Sequence, residues 1–314
     1  MSAFNKNMRG PATSISVIVC TRDRGADFAT TVDSVLSGEM RPSEIVVVDQ
    51  SADDRTLHAS RRFEGAPGFR YCRVASVGLS RARNAGLALA RGELAAFTDD
   101  DCAVSRDWLA GIARAFERDA RIGVVHGNVL AAPHDRRLGF TTAYVRDAPL
   151  YAASMGDKHL AEGIGANMAV RRVVWEAVGG FDDLLGAGGL FRSAEDMDFS
   201  MRALQRGFAV YDTTQGHVVH SGFRRWDDGD RIVYDYLYGI GATYAKHLKC
   251  RRSSVLLPMG RLAWRWAAAA PVVDLGRKPP RMLRLRGFAA GFLTAAGRPV
   301  DPRSTRFAAD ADGG

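Results

Sequence analysis

The sequence predicts an α/β fold wound around a largely parallel sheet. Three observations carry that expectation. Apolar, β-branched runs alternate with helix-patterned segments through the first half; an acidic cluster follows directly on one of those runs; and the second half changes to mixed strands and helices. In chain order, Ile15-Ser16-Val17-Ile18-Val19-Cys20 reads as the opening strand, Phe28, Val32, Val35 and Leu36 recur at helical spacing, and Ile45-Val46-Val47-Val48 is the second strand. A helix is expected from Asp54 to Phe63, a short strand from Tyr71 to Val74 and a helix from Leu79 to Ala90. Leu94-Ala95-Ala96-Phe97 is the strand that runs into Asp99-Asp100-Asp101, and a helix from Asp107 to Arg118 with a strand from Gly123 to Val129 completes a Rossmann-like half. Further on, Gly163 to Val170 is expected as a strand and Ala194 to Arg206 as a helix whose Met197, Met201 and Leu204 share one apolar stripe. A helix from Arg231 to Leu248 and two apolar-rich stretches, Val255 to Leu275 and Met282 to Ala296, form the tail, and Ala308 to Gly314 reads as a frayed end.

With 314 residues, 46% hydrophobic and 25% charged, the chain has room for one large domain and a satellite. Cys20, Cys72, Cys102 and Cys250 are scattered without C-x-x-C spacing, which indicates neither a zinc site nor a disulfide framework and fits a reducing cytoplasm. Lys6 and Arg9 are not followed by an apolar leader core, so a secretory signal is not expected and the catalytic part should face the cytosol. The net charge of +8 is uneven: residues 224–306 hold seventeen Lys and Arg against six acids, whereas the front two thirds is close to neutral. That basic tail lacks the signatures of a nucleic-acid-binding module, so nucleic acid is not an expected partner. Arg261 and Arg265 interrupt the stretch from Val255, which excludes a spanning helix there. Trp264, Trp266, the run Ala267 to Ala270 and the flanking arginines instead suggest an amphipathic element lying on an anionic membrane surface, with packing on its own domain as the alternative.

The acidic cluster is the sharpest chemical signal. If the chain stays extended, the period of two puts Asp99 and Asp101 on one face at the C-terminal edge of the sheet, where open α/β sheets bind ligands. Hard oxygen donors there suit Mg²⁺ or Mn²⁺ bridging phosphates; a solvated acidic turn is the bland alternative. The loop after the first strand, Cys20-Thr21-Arg22-Asp23-Arg24-Gly25, has no G-x-G-x-x-G, which argues against a dinucleotide dehydrogenase. Asp49 ends a strand, where it either caps a turn or accepts a ligand N–H. Ser193 with Asp196 three residues on matches a capping box, which by itself accounts for Asp196. Asp198 and Arg202, four apart, read as a structural pair. Cys102 reads as a small packing residue.

Several motifs in order resemble those of glycosyltransferase family 2, the inverting transferases of GT-A fold: Ser16-Val17-Ile18-Val19-Cys20-Thr21-Arg22, Ile45-Val46-Val47-Val48-Asp49-Gln50-Ser51, Leu79-Ser80-Arg81-Ala82-Arg83-Asn84-Ala85-Gly86, Asp99-Asp100-Asp101 as the DXD motif, and Glu195-Asp196 as the ED motif. The resemblance runs from about Ser16 to His220 and implies a GT-A mixed sheet flanked by helices. It implies a UDP-, GDP- or dTDP-sugar donor held by Thr21, Arg22, Asp49, Arg81, Arg83, Asn84, Asp99 and Asp100, with Asp49 under the nucleobase and Arg83 on the diphosphate. It implies a divalent cation, Mn²⁺ or Mg²⁺, at Asp99 and Asp101 with His220 as a further ligand, and Asp196, beside Glu195, as the base that deprotonates the acceptor hydroxyl. The acceptor would be a saccharide or a lipid-linked molecule, in envelope polysaccharide or glycolipid synthesis. The expected organisation is an N-terminal extension, 1–13; a GT-A domain, 14–223, split into a nucleotide-binding half, 14–130, and an acceptor and catalytic half, 131–223; a basic helical region, 224–306; and a disordered tail, 307–314. A silent nucleotide-sugar-binding module and a nucleotidyltransferase are the rival readings, the latter weakened by the missing glycine-rich basic phosphate loop after the first strand.

Overall fold

The structure, a computed structural model, describes residues 13–267 and 281–308. The first half contains β1 (Ile15–Thr21), α1 (Phe28–Leu36), β2 (Glu44–Asp49), α2 (Arg55–Ser60), β3 (Phe69–Arg73), α3 (Leu79–Leu89), β4 (Leu94–Asp99), β5 (Cys102–Val104), α4 (Trp108–Glu117) and β6 (Ile122–Ala131). β3, β2, β1 and β4 lie side by side and parallel in that order. The near-continuous apolar runs of β1, β2 and β4 are explained by burial on both faces, whereas β3, at the sheet edge, is mixed in sequence and half-buried. Val17, Val19, Ile45 and Val47 pack with Phe28 and Val32 of α1. Ile18, Val46 and Val48 point the other way, toward Ala82 and Leu87 of α3.

The second half contains β7 (Gly139–Thr141), β8 (Leu150–Ala152), β9 (Met168–Arg171), α5 (Arg172–Val178), α6 (Glu195–Gln205), β10 (Ala209–His220), β11 (Phe223–Arg225), α7 (Trp226–Lys249), α8 (Leu256–Ala267) and α9 (Arg281–Ala296), with a small ribbon of β12 (Val300–Asp301) and β13 (Arg306–Phe307). β9 inserts antiparallel between β4 and β6, and β10 runs parallel to β6, which makes the sheet mixed. The far edge of β10 is shared: Val210 to Asp212 pair with β8, and Val218 to His220 with β5. This gives an α/β protein with a central mixed sheet flanked by helices.

Several elements differ from expectation. The strand expected over Gly163 to Val170 starts only at Met168, after a 3-10 turn at Gly165–Asn167. The Gly165 amide there donates to Asp196 at 2.7 Å rather than to a neighbouring strand. The helix expected from Arg231 begins earlier, at Trp226, with Asp227 and Asp228 favourably placed in its first turn. The helix expected over Asp54 to Phe63 ends at Ser60 and tightens into a 3-10 turn. In the tail, α8 ends at Ala267, and the expectations on 268–280, including most of the alanine run, on 1–12 and on 309–314 lie outside the described residues; Phe307, expected in a disordered tail, is instead buried and pairs with Val300.

α7 is part of the main core. Its Ile240 and Tyr244 join the cluster that holds Phe181 and Phe199. Beneath them, Lys246 Nζ lies 2.6 Å from Asp182 and 2.7 Å from Asp198, while Asp198 also takes Arg202 Nε at 2.8 Å and His247 Nε2 at 3.0 Å. The expected Asp198–Arg202 pair is thus one edge of a fully buried network. α9 crosses α7 at backbone contact: a Cβ on Gly291 would collide with the Tyr238 carbonyl, so only glycine fits. Among the described residues, no helix is long and apolar enough to cross a membrane.

Candidate functional site

The site is assembled at the C-terminal ends of β1, β2 and β4, where they face the start of α6. β4 ends at Asp99 and the chain turns at once, so Asp99 and Asp101 do not share a face of one extended strand as the period of two suggests. Their approach comes from β5 folding back along β10, which pairs Cys102 with His220. Donor atoms of Asp99, Asp101, Cys102 and His220 then all lie within 4.8 Å of one another. His220 Nε2 is 3.2 Å from Asp101 Oδ1. Arg24, in the loop after β1, reaches the same cluster, at 3.1 Å from Asp101 and 3.6 Å from Asp100. Sequence reasoning missed Arg24, because its stretch signals only an absent glycine pattern.

Burial governs the charges. It raises Asp99, against the pull of Arg83 and His220. It pushes Asp100 up to about 6, opposed by the Thr21 hydroxyl and Arg24. Burial also presses on Asp101, but the hydrogen bond with His220 and the charge of Arg24 bring it below the ordinary carboxylate value. His220 shows the complement, raised by Asp101 and Asp99 in spite of its burial.

Arg83, on α3 and 2% exposed, connects this cluster to α6. One nitrogen donates to Glu195 at 2.9 Å and the other lies 3.5 Å from Asp99. Burial and the neighbouring Asp196 nevertheless push Glu195 up to about 7. Gly165 sits against this guanidinium; a Cβ there would stand 2.6 Å from it. Asp196 takes the Gly165 amide on one oxygen at 2.7 Å and the Met197 amide on the other at 2.6 Å. Ser193 does not cap α6, contrary to the capping-box reading. Its hydroxyl donates to the Asp235 and Tyr236 carbonyls, and Ala194 enters the helix in the left-handed region, φ 69°. Arg192 is left-handed too, φ 64°. Two such residues within three positions are backbone strain, which is held where the surroundings over-determine a site.

The remaining sequence-derived residues divide. Arg22 lines an open cleft of about 580 Å³ at the ends of β1, β2 and β3, with Gln50, Ser51 and Arg73. Asp49 lies beneath that cleft, fully buried, its oxygens taken by the Ser51 amide at 2.8 Å and the Tyr71 hydroxyl at 2.6 Å. Thr21 is buried beside Asp100. Asn84 is spent on a loop, exchanging hydrogen bonds with the Phe181 backbone and donating to Asp183 at 2.7 Å. Arg81 is exposed on α3. On the opposite side of Asp196 lies a cavity of about 410 Å³ between α7, α8 and the segments 142–146 and 158–164, which had no sequence signal.

The donor set at Asp99, Asp101 and His220 fits a divalent cation of the Mn²⁺ or Mg²⁺ kind: two carboxylates and an imidazole, with a raised Asp99 whose charge a cation would relieve. Cys102 Sγ lies in the same group, but a soft sulfur suits a hard cation of this kind less well than the carboxylates do.

A sequence profile of glycosyl transferase family 2 matches residues 16–179. The glucosyl-dolichyl phosphate glucuronosyltransferase of Haloferax volcanii is 25% identical over 232 residues, covering 70% of this chain and 73% of that protein. Among solved structures, the mannosyltransferase PcManGT from Pyrobaculum calidifontis, in complex with GDP-Man and Mn²⁺, superposes with a TM-score of 0.61 at 19% identity, over 91% of this chain and 90% of that one. S. aureus TarS 1-349 in complex with UDP-GlcNAc gives a TM-score of 0.56 at 17% identity, over 73% of this chain and 66%, just under two thirds, of that one.

Proposed function

The chain belongs to glycosyl transferase family 2 and is a glycosyltransferase, and from that premise we propose that it transfers a sugar with inversion, in a single metal-dependent displacement, from a nucleotide-diphospho-sugar to an acceptor hydroxyl. One observation carries the reading: Arg83 ties the metal-type cluster of Asp99, Asp101 and His220 to Glu195, whose neighbour Asp196 opens α6. A donor bound at the cluster and an acceptor bound at α6 would meet between them. In this reading the cleft at Arg22, Gln50 and Ser51 holds the base and ribose above Asp49, with Thr21, Arg81, Asn84 and Asp100 shaping its surroundings. Asp99, Asp101 and His220 would hold the cation, which when bound neutralises charge on the departing nucleoside diphosphate. Asp196, kept in one orientation by the Gly165 and Met197 amides, takes the acceptor proton as the oxygen attacks the anomeric carbon from the side opposite the leaving group. Arg83, paired with a Glu195 that burial and Asp196 raise to about 7, keeps the floor between the two groups from accumulating negative charge.

The complexes of PcManGT with GDP-Man and Mn²⁺ and of TarS with UDP-GlcNAc support a sugar nucleotide with a divalent cation as the donor class. Residues 14–223 would form the catalytic unit, in nucleotide and acceptor halves, and 224–306 a region that both walls the acceptor side and rests on the cytosolic face of a membrane in envelope polysaccharide or glycolipid synthesis. The test is nucleoside-diphosphate release by the purified protein across UDP-, GDP- and dTDP-sugars, with and without Mn²⁺ or Mg²⁺, alongside Asp101→Asn. Metal-dependent release from one donor, lost in the variant, is expected. Sugar 1-phosphate in place of a nucleoside diphosphate, the leaving group of attack at the α-phosphorus, would make the chain a nucleotidyltransferase, and donor-induced thermal stabilisation without release in the presence of any acceptor would make it a silent binding module.

A further inference from the structure

The cavity behind Asp196 has the composition of a site for a ligand that is both greasy and anionic. Its long wall is a stripe of α7, Ile232, Tyr236, Ile240 and Tyr244, spaced four apart so that all four face the same way. Its volume of about 410 Å³ is within the range of ordinary small-molecule pockets. Basic groups from α8 and from the segment before β9 line the same space. Lys158 is 6% exposed, and its ammonium donates to one neutral acceptor, the Ala161 carbonyl, at 2.7 Å. Arg261 donates to the Gly156 carbonyl and lies 2.6 Å from His159 Nδ1. Arg265 by contrast has a carboxylate, Glu162, at 2.8 Å. An ammonium has three donors to satisfy, and a buried cation held only by neutral oxygen is expensive unless an anion joins it. The missing counter-charge is therefore most simply supplied by the ligand.

The outside of the same region points to where that ligand comes from. Leu256, Leu257 and Trp264 of α8 and Met282, Leu285 and Leu293 of α9 are all at least half exposed. Such residues, beside the arginines of the basic tail, fit the surface of a lipid layer better than water.

We propose that this cavity is the acceptor subsite and takes a lipid phosphate that carries a saccharide: an isoprenoid-like chain along the α7 stripe, its phosphate between Lys158 and Arg261, and a hydroxyl of the saccharide esterified to that phosphate directed at Asp196. The inference rests on the proposed role of Asp196 for its direction, but the binding itself is measured without turnover. Farnesyl phosphate, farnesol and inorganic phosphate are titrated into the full chain by calorimetry, and UDP- and GDP-sugar binding with Mn²⁺ is measured on the same samples. Farnesyl phosphate should bind at least tenfold more tightly than either farnesol or phosphate. Lys158→Gln and, separately, the less buried Arg261→Gln should each remove most of that advantage, leaving farnesol and sugar-nucleotide binding in place as proof of fold. Equal affinity for farnesol and farnesyl phosphate, or binding of phosphate alone as strong as that of the lipid, overturns the proposal. So does a protein that binds its sugar nucleotide and ignores farnesyl phosphate, which leaves the transferase reading standing. Farnesyl phosphate binding without any sugar-nucleotide binding would fail the transferase reading and the acceptor role with it, and would leave the cavity a lipid-phosphate site alone.

Discussion

Asp196 and His247 show how local partners set what a single side chain does. Both oxygens of Asp196 accept backbone amides, from Gly165 and Met197, so the group is oriented by the main chain. Asp196→Asn keeps one of those contacts, on its remaining carbonyl oxygen, and removes the proposed proton acceptor. Turnover should fall by about 10²- to 10⁴-fold, the usual worth of a general base, with the donor dissociation constant unchanged; a variant of near-normal turnover would remove Asp196 from the mechanism. His247 is held neutral: burial lowers it from 6.5, and its two nitrogens face an Asp198 acceptor at 3.0 Å and the Gln205 amide at 2.9 Å, which suits one ring proton. Below pH 6.5 the unfolded chain therefore binds a proton that the folded chain refuses, and stability falls as pH falls. His220 acts in the opposite sense. Its raised folded value makes its contribution complete below 6.5 and lost as pH rises through that folded value. Urea denaturation from pH 5 to 8 should show both slopes, the acid one flattened in His247→Asn and the alkaline one in His220→Asn.

Among elements, the join between α6 and α7 deserves the most weight, because α6 carries Glu195 and Asp196 at its start. Lys246 reaches from α7 to Asp198 of α6 and to Asp182 in the loop before it, with all three side chains buried. Lys246→Met leaves two buried carboxylates short of a partner and should cost about 3–5 kcal/mol, the range for breaking a buried ion pair, as read by chemical denaturation at pH 7. A loss under 1 kcal/mol would mean that Arg202 and His247 suffice to compensate Asp198. Helical spacing in the sequence identifies Asp198 and Arg202 as a pair, and it does so correctly. It gives no sign of Lys246, 48 residues away from Asp198, since that contact depends on how α7 lies across α6.

For the whole molecule, the uneven charge and the exposed apolar residues of α8 and α9 act together. Attachment to an anionic lipid surface should be measurable as co-sedimentation with phosphatidylglycerol vesicles, weakened by salt as screening shortens the electrostatic reach. Leu257→Asp with Trp264→Asp should abolish it while leaving the thermal midpoint in place, because both residues are more than half exposed. Undiminished sedimentation of that double variant would assign α8 a role within the protein alone. Cutting the chain after Leu248 is a poorer test: α9 lies in backbone contact with α7, and its loss would uncover the α7 core.

Local pattern was enough for much of this protein. Alternating hydrophobic periods gave the parallel half strand by strand, because strands buried on both faces must be continuously apolar and the helices covering them must be amphipathic. The ordered motifs were enough for the family, since each is a short contiguous run. Tertiary structure alone decided how Asp99 and Asp101 meet, through a turn and the pairing of Cys102 with His220 rather than along one strand. It also decided that Arg24 and Arg83 belong to the acidic cluster, that Ser193 binds α7 carbonyls instead of capping α6, and that a cavity lies behind Asp196. These features join residues tens to more than a hundred positions apart, and such contacts are set by how helices and strands pack, which no local period encodes.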